Sequence, residues 1–245
     1  MIAGTLKLSA TNCYLLKAEK GYVLVDTAYD WEWDAFRRDL EKTGVGFDDL
    51  EYLILTHHHD DHAGLLNQLV AQNPALKIVM SVRAKERLAK GKNDWPKGAG
   101  CINRRVNALV TLKAKFDKKW TQTYPPYVVR AEDILVSEDT SLRELGIGLD
   151  GRIVETPGHS TDSISVQLPE GDWLVGDAAA NMLQFAGTKY CVIIVEDLSQ
   201  YYRNWTRMLE AGAKQIFPAH GKPFSADALK RHINCHKKSD MVLFS

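Results

Sequence analysis

The chain alternates short apolar runs with glycine-rich and charged breaks, and the period of each run assigns an element. Asn12 to Ala18 and Tyr22 to Asp26 flank Lys20-Gly21, which predicts two strands joined by a tight turn. Trp33, Phe36 and Leu40 follow at helical spacing, with Gly44 placed to end that helix. Tyr52-Leu53-Ile54-Leu55 has the length and composition of a buried strand. Leu65-Leu66 with Leu69-Val70 predicts a second amphipathic helix, and Lys77 to Met80 a short strand. In the second half, Leu149-Asp150-Gly151-Arg152 reads as a hairpin turn between apolar segments. Ile164 to Leu168 and Trp173 to Val175 read as strands paired around Pro169-Glu170-Gly171-Asp172. Ser199 to Ala211 and Ala226 to His236 read as helices, the latter capped by Ser225. Two β-rich halves with interspersed helices make an α/β chain.

The residues that interrupt these runs carry the chemistry. His57-His58-His59-Asp60-Asp61-His62 begins where the strand around Leu53 runs out. His57 and His59 are two apart and can point to one side, while Asp61 and His62 follow as the chain turns toward a helix. Imidazole and carboxylate are ligands that zinc, iron and manganese accept. A solvated His-rich loop is the bland alternative, and it predicts nothing further along the chain. A metal loop does, because one loop cannot complete two coordination shells. Candidates stand at Thr156-Pro157-Gly158-His159-Ser160, Val175-Gly176-Asp177 and Pro218-Ala219-His220-Gly221, each beside an apolar run and each with a glycine next to the ligand.

With these motifs in place the sequence resembles the metallo-β-lactamase superfamily of hydrolases. It has the early strand-end aspartate in Leu24-Val25-Asp26-Thr27, then H-x-H-x-D-H, G-H, G-D and H-G, in the family's order over essentially the whole chain. The resemblance implies a four-layer αββα sandwich with the metal site at the edge between its two sheets. It implies two divalent ions, zinc first, with manganese or iron as alternatives. His57, His59 and His159 would hold the first, Asp61, His62 and His220 the second, and Asp177 would bridge both. A metal-bound hydroxide would then cleave a small ester, lactone, thioester or phosphodiester, with Asp61 as the catalytic proton carrier. Asp26 would sit in the outer shell, accepting hydrogen bonds from the ligand loops. His58 and Asp60 fall at the pattern's variable positions, His58 as an outer-shell or solvent-facing residue and Asp60 as a loop acceptor. Ser160 reads as a loop hydrogen-bonder rather than a nucleophile.

Asp177 speaks against the β-lactamases of this superfamily, which lack the bridging carboxylate. Only 25 residues follow His220, too few for the glutathione-binding domain of glyoxalase II. Quorum-quenching lactonases present a tyrosine after the bridging aspartate, where this chain has Ala178-Ala179-Ala180-Asn181; Tyr190 could substitute, or be a packed aromatic. The alternative reaction class is the superfamily's mononuclear iron persulfide dioxygenase, held by two His and one Asp.

Composition adds the setting. Lys plus Arg equals Asp plus Glu at 31 each, so overall charge points to no polyanionic partner. No apolar run reaches membrane-spanning length, and no leader segment is evident. Cys13, Cys101, Cys191 and Cys235 are scattered, reading as reduced thiols of a cytoplasmic protein, with a disulfide or thiolate metal site as the lesser alternative. The charge is nevertheless uneven. The span 83–130 holds thirteen Lys or Arg against Glu86, Asp94 and Asp117, with Trp95, Trp120, Tyr124 and Tyr127 interleaved. It reads as an insertion in a single domain of residues 1–245, lying over the active-site edge, with helices from Val82 to Lys90 and Cys101 to Lys119. Its bases form either a solvated helix face or a cap that gathers an anionic small-molecule substrate, with a nucleic-acid surface as the lesser reading. The apolar tail Met241-Val242-Leu243-Phe244 would suit a contact with the core or with a second subunit of a homo-oligomer.

Overall fold

A computed structural model describes residues 2–244; Met1 and Ser245, the ends of the domain expected above, lie outside it. Two six-stranded sheets stack face to face. The first runs Ile2–Lys7, Asn12–Lys17, Tyr22–Val25, Leu50–Ile54, Lys77–Ser81, Ile134–Val136, antiparallel for its first three strands and parallel thereafter. The second runs Phe224–Ser225, Gln215–Pro218, Asp172–Gly176, Ile164–Gln167, Arg152–Glu155, Thr140–Ser141, with Gln215–Pro218 parallel to Asp172–Gly176.

Side-chain alternation builds the layers. Tyr14, Leu16, Val23, Val25, Tyr52 and Ile54 point inward onto Ile153, Ile164, Val166 and Leu174 of the second sheet. Leu15, Leu24, Leu53, Ile78 and Met80 point outward, onto a core shared with Phe36, Leu40, Leu66 and Leu69. Trp173, Val175 and Ile216 pack on Tyr201, Trp205 and Met208 of the helix Leu198–Glu210. Strands buried on both faces read as continuous apolar runs, which is why they stood out in the sequence. Helix, sheet, sheet, helix is the four-layer sandwich that the resemblance implied.

Some boundaries differ. Ile2–Lys7 is an edge strand that the sequence reading passed over, because Ala3 and Gly4 interrupt its strand signal. Leu149 to Arg152 does not close a two-residue hairpin: Thr140–Ser141 pairs with Arg152 and Ile153 across a longer loop. The last helix is short, Asp227–His232, though Ser225 Oγ does accept from the Asp227 amide at 3.3 Å.

The insertion departs most. Cys101 is not helical but belongs with Gly100 to a strand held between Ile194–Val195 and Val242–Leu243. The helix starts later, Arg104–Phe116, where Asn103 Oδ1 accepts from the Val106 amide at 2.9 Å as N-cap. A Cβ on Gly100 would lie 2.3 Å from the Val242 carbonyl oxygen, so glycine permits this pairing. The apolar tail therefore packs within its own chain, and Phe244 reaches the Trp95 ring at 6.1 Å.

Candidate metal centre

The site is assembled from strand ends. Asp26, one residue past Tyr22–Val25, takes a left-handed backbone (φ 63°), costly for a non-glycine residue and held in place by its bonds. Its carboxylate accepts from the Thr56 amide and hydroxyl, both at 2.8 Å, and from His62 Nδ1 at 2.9 Å. Asp26 thus joins one strand end to the histidine loop. Gly176 makes the matching approach from the second sheet. At φ 50° its Cβ would strike the Thr56 hydroxyl at 2.4 Å, so only glycine lets the Asp177 loop close here.

Outward hydrogen bonds then settle the imidazole tautomers. Thr56 gives its hydroxyl hydrogen to Asp26, so His57 Nδ1 must donate to that oxygen at 3.1 Å. His159 Nδ1 donates to the Ile194 carbonyl at 2.8 Å, and His220 Nδ1 to the Ala10 carbonyl at 2.9 Å. With His62 on Asp26, four rings hold a proton outward and turn a bare Nε2 inward. Two groups result. His57 Nε2, His59 Nδ1 and His159 Nε2 lie 2.8 to 3.1 Å from one another. Asp61, His62 and His220 form the other, with Asp61 Oδ2 at 3.4 Å from His220 Nε2 and Oδ1 at 3.7 Å from His62 Nε2.

Asp177 stands between them. Its Oδ2 is 3.4 Å from His159 Nε2, and its Oδ1 is 3.2 Å from His220 Nε2 and 3.5 Å from His62 Nε2. Among the described residues, His62 Nε2 and Asp177 Oδ1 are buried without a hydrogen-bond partner. Lone pairs converging without protons repel one another and are relieved by a cation. Imidazole-to-zinc bonds of about 2.0–2.1 Å fit nitrogens at such separations. The donor set, imidazole and carboxylate without sulfur, suits zinc, manganese or iron.

The electrostatics divide the two groups. Burial holds His57, His59 and His159 below the ordinary histidine range, in the neutral form that ligation needs. Burial also opposes charge on His220, but the Asp177 carboxylate outweighs it and lifts this histidine to about 9. A metal ion at the second group would therefore compete with protons. Asp60, lifted to about 7 by burial and then by Asp61, accepts from Asn93 Nδ2 and the Asp61 amide, tying the loop to the insertion.

His58 is not solvent-facing. It is fully buried, and both its amide and its Nδ1 donate to the buried Asp162, each at 2.9 Å. Burial would raise the Asp162 carboxyl, yet His58 outweighs it and holds it at about 2. Arg87 sits 3.9 Å from Asp162 and 2.9 Å from Glu196. The sequence reading missed Asp162 altogether. Its signal was a lone aspartate three residues after His159 and two before the strand Ile164–Gln167. Ser160 hydrogen-bonds Ser163 at 2.8 Å, within its loop. Tyr190 is not among the residues lining the cleft; its ring packs on Phe224 at 4.5 Å.

A cleft of about 360 Å³ opens over His59, Asp61, Asp177 and His220. The insertion forms one wall with Trp95, Leu109, Val110 and Trp120, and Met182, Leu183 and Ile193 form the other. Trp95 lies 4.4 Å from the His59 ring and donates its indole N–H to Gln122. The insertion does lie over the site, but it brings apolar surface: Lys113 is its single base in the cleft lining. Arg104 and Arg105 line a different cavity, with Lys189 and Cys235.

The profile of the Metallo-beta-lactamase superfamily matches residues 6–220. Curated relatives include the Lactamase-like protein aptB of Emericella nidulans, 31% identical over 221 residues, covering 89% of this chain and 53% of the relative. The Probable metallo-hydrolase YqjP of Bacillus subtilis is 26% identical over 206 residues, covering 78% of this chain and 60% of the relative. The chain thus spans little more than half the length of these relatives. Among solved structures, an archaeal metallo-beta-lactamase superfamily protein from Sulfolobus tokodaii superposes with a TM-score of 0.60 at 20% identity, covering 92% of this chain and 80% of that one. A subclass B3 metallo-beta-lactamase of Bradyrhizobium japonicum gives 0.57 at 19%, covering 88% and 74%. At these identities the likeness is one of fold. No described helix is long and apolar enough to cross a membrane.

Proposed function

Because this chain belongs to the metallo-β-lactamase superfamily, we propose that it is a dinuclear metal hydrolase acting on a small, largely apolar carboxylic ester, lactone or thioester. The observation that carries the reading is the pair of ligand groups with the Asp177 carboxylate between them, one oxygen toward each. His57, His59 and His159 would hold one divalent ion and Asp61, His62 and His220 the other, with zinc first among the candidates. Bound ions would supply Lewis acidity toward a carbonyl oxygen and lower the pKa of water toward neutrality.

The remaining work falls to the protein. Asp61 is the one partly exposed carboxylate among the ligand groups and lies at the cleft floor, so it is the residue assigned to receive and pass on a proton. Asp26 and the Ile194 and Ala10 carbonyls hold the rings in their ligating tautomers. Trp95, Leu109 and Leu183 exclude water and bind the apolar body of the substrate. An anionic phosphodiester would find one lysine among the insertion's residues here and walls that are otherwise largely apolar, which is why a carbonyl centre is favoured.

Chelator-stripped protein should be reconstituted with zinc, manganese or iron and assayed on aryl esters, acyl thioesters, lactones and phosphodiesters. The expected result is carbonyl-ester or thioester turnover that requires about two ions per chain. One iron per chain with oxygen-dependent persulfide consumption would overturn the hydrolase in favour of the dioxygenase.

A further inference from the structure

Away from the catalytic cleft, folding brings together two of the scattered cysteines. Cys191 lies in the loop before Ile194–Val195, and Cys235 and His236 follow the helix Asp227–His232. Their ligand atoms all lie within 4.8 Å of one another. Tyr202 Oη is 3.4 Å from each sulfur and accepts from the His236 amide at 3.1 Å. His236 Nε2 donates to the Thr188 carbonyl at 3.2 Å, which leaves Nδ1 as the free ring nitrogen. A backbone carbonyl on the far nitrogen is the arrangement that orients metal-binding histidines. Cys235 and His236 border a cavity of about 500 Å³ that also holds Arg104, Arg105 and Lys189, so the group communicates with solvent.

We infer that Cys191, Cys235 and His236 form a second, separate binding site for a thiophilic divalent ion such as zinc, with its fourth position open to this cavity. Two thiolates cancel the ion's charge, so the neighbouring guanidinium and ammonium groups, which favour thiolates, do not oppose it. The hydrogen bond from Cys191 holds the Cys235 thiol low, at about 4, while burial lifts Cys191. Binding would therefore displace the proton on Cys191 and any proton on His236. The site would clasp the 188–195 loop to the C-terminal segment. That loop matters for the cleft: Val192, beside Cys191, lines it, and the Val192 amide donates to Tyr201 Oη, which donates to the Asp177 carbonyl, both at 3.1 Å.

Cobalt(II) added to phosphine-reduced protein under nitrogen tests the site, because the catalytic groups contain no sulfur. The parent should show a near-ultraviolet thiolate-to-cobalt charge-transfer band that Cys235→Ser abolishes while the visible bands of nitrogen- and oxygen-bound cobalt persist. Alkylation of Cys235 in the folded parent provides a second measurement that needs no variant. Zinc at tenfold over its dissociation constant should slow it by on the order of tenfold. The inference is overturned if the fully reduced parent gives no such band and zinc does not slow alkylation. It is equally overturned if the band survives Cys235→Ser, or if the cysteines are recovered only as a Cys191–Cys235 disulfide that reduction does not convert to a metal-binding form.

Discussion

At the scale of single residues, Asp177, Asp26 and His58 are three different kinds of dependence on the same centre. Asp177 faces both ligand groups, so Asp177→Ala should lower the metal held at this centre from about two ions per chain, any ion at Cys235 being counted separately, and reduce kcat/KM by on the order of a hundredfold or more. Full metal retention by that variant, read by elemental analysis, would show that the carboxylate is not shared. Asp26 lies outside both ligand groups but fixes the His62 tautomer through Nδ1, so Asp26→Asn should weaken metal affinity by roughly 10–100-fold. Competition with a chromophoric chelator measures this. His58 lies outside both ligand groups, and the loop's alternation alone would make its removal mild. Its burial against Asp162 changes that expectation. His58→Ala removes the imidazole from a buried carboxylate that keeps the residue-58 amide at 2.9 Å and Arg87 at 3.9 Å, and should cost about 1.5–3 kcal/mol of stability in denaturant titration, with metal stoichiometry unchanged. A destabilisation below about 1 kcal/mol would mean that the pair contributes little.

At the scale of elements, the helix Arg104–Phe116 is the part of the insertion that shapes the cleft. Its first turn and its middle face different cavities: Arg104 and Arg105 look toward Cys235, whereas Leu109, Val110 and Lys113 look into the cleft. Neutralising both arginines should therefore leave KM and its salt dependence unchanged, contrary to a simple basic cap. Leu109→Asp, by contrast, places a charge on the apolar wall and should raise KM for an apolar ester by about 10–200-fold, with a smaller effect on kcat. Steady-state kinetics at low and high salt separates the two; a salt-sensitive loss in the double arginine variant would restore electrostatic capture. The distinction was invisible in sequence, since a run rich in Lys and Arg looks alike whichever way its helix is turned.

At the scale of the whole molecule, the metal groups couple the two sheets, so their protonation is a term in global stability. In the metal-free protein, burial keeps His57, His59 and His159 below their ordinary value. As pH falls through about 6.5 the unfolded chain takes up protons that the folded chain refuses, and stability drops on that side. His220, raised to about 9, has the opposite sign. Its contribution is fully present below about 6.5 and is lost as pH rises toward and through the raised value. Metal-free melting temperatures should therefore peak near neutrality, and the increment on adding zinc should grow with pH because ligation requires neutral imidazole. Thermal melts between about pH 5 and 9, with and without zinc, check both statements. A zinc increment that shrinks as pH rises would contradict histidine ligation.

The strands were legible because a strand buried on both faces must be apolar throughout, and the ligand motifs because each follows such a strand, three of them beside a glycine. Tyr52 to Leu55 and the histidines after it needed no partner to be recognised, and neither did Gly176-Asp177 or His220-Gly221. Edges and pairings were another matter. Ile2–Lys7 became a strand only because a neighbour offered it a ladder, and Gly100-Cys101 because Ile194–Val195 and the tail closed on either side. The His58–Asp162 pair spans two motifs that no local spacing connects, and Cys191 meets Cys235 only after the helix Leu198–Glu210 brings Tyr202 between them. Periodicity along the chain reports burial and turning, which are properties of one segment. Which side chains face one another across segments depends on packing, and that was decided only when the layers closed.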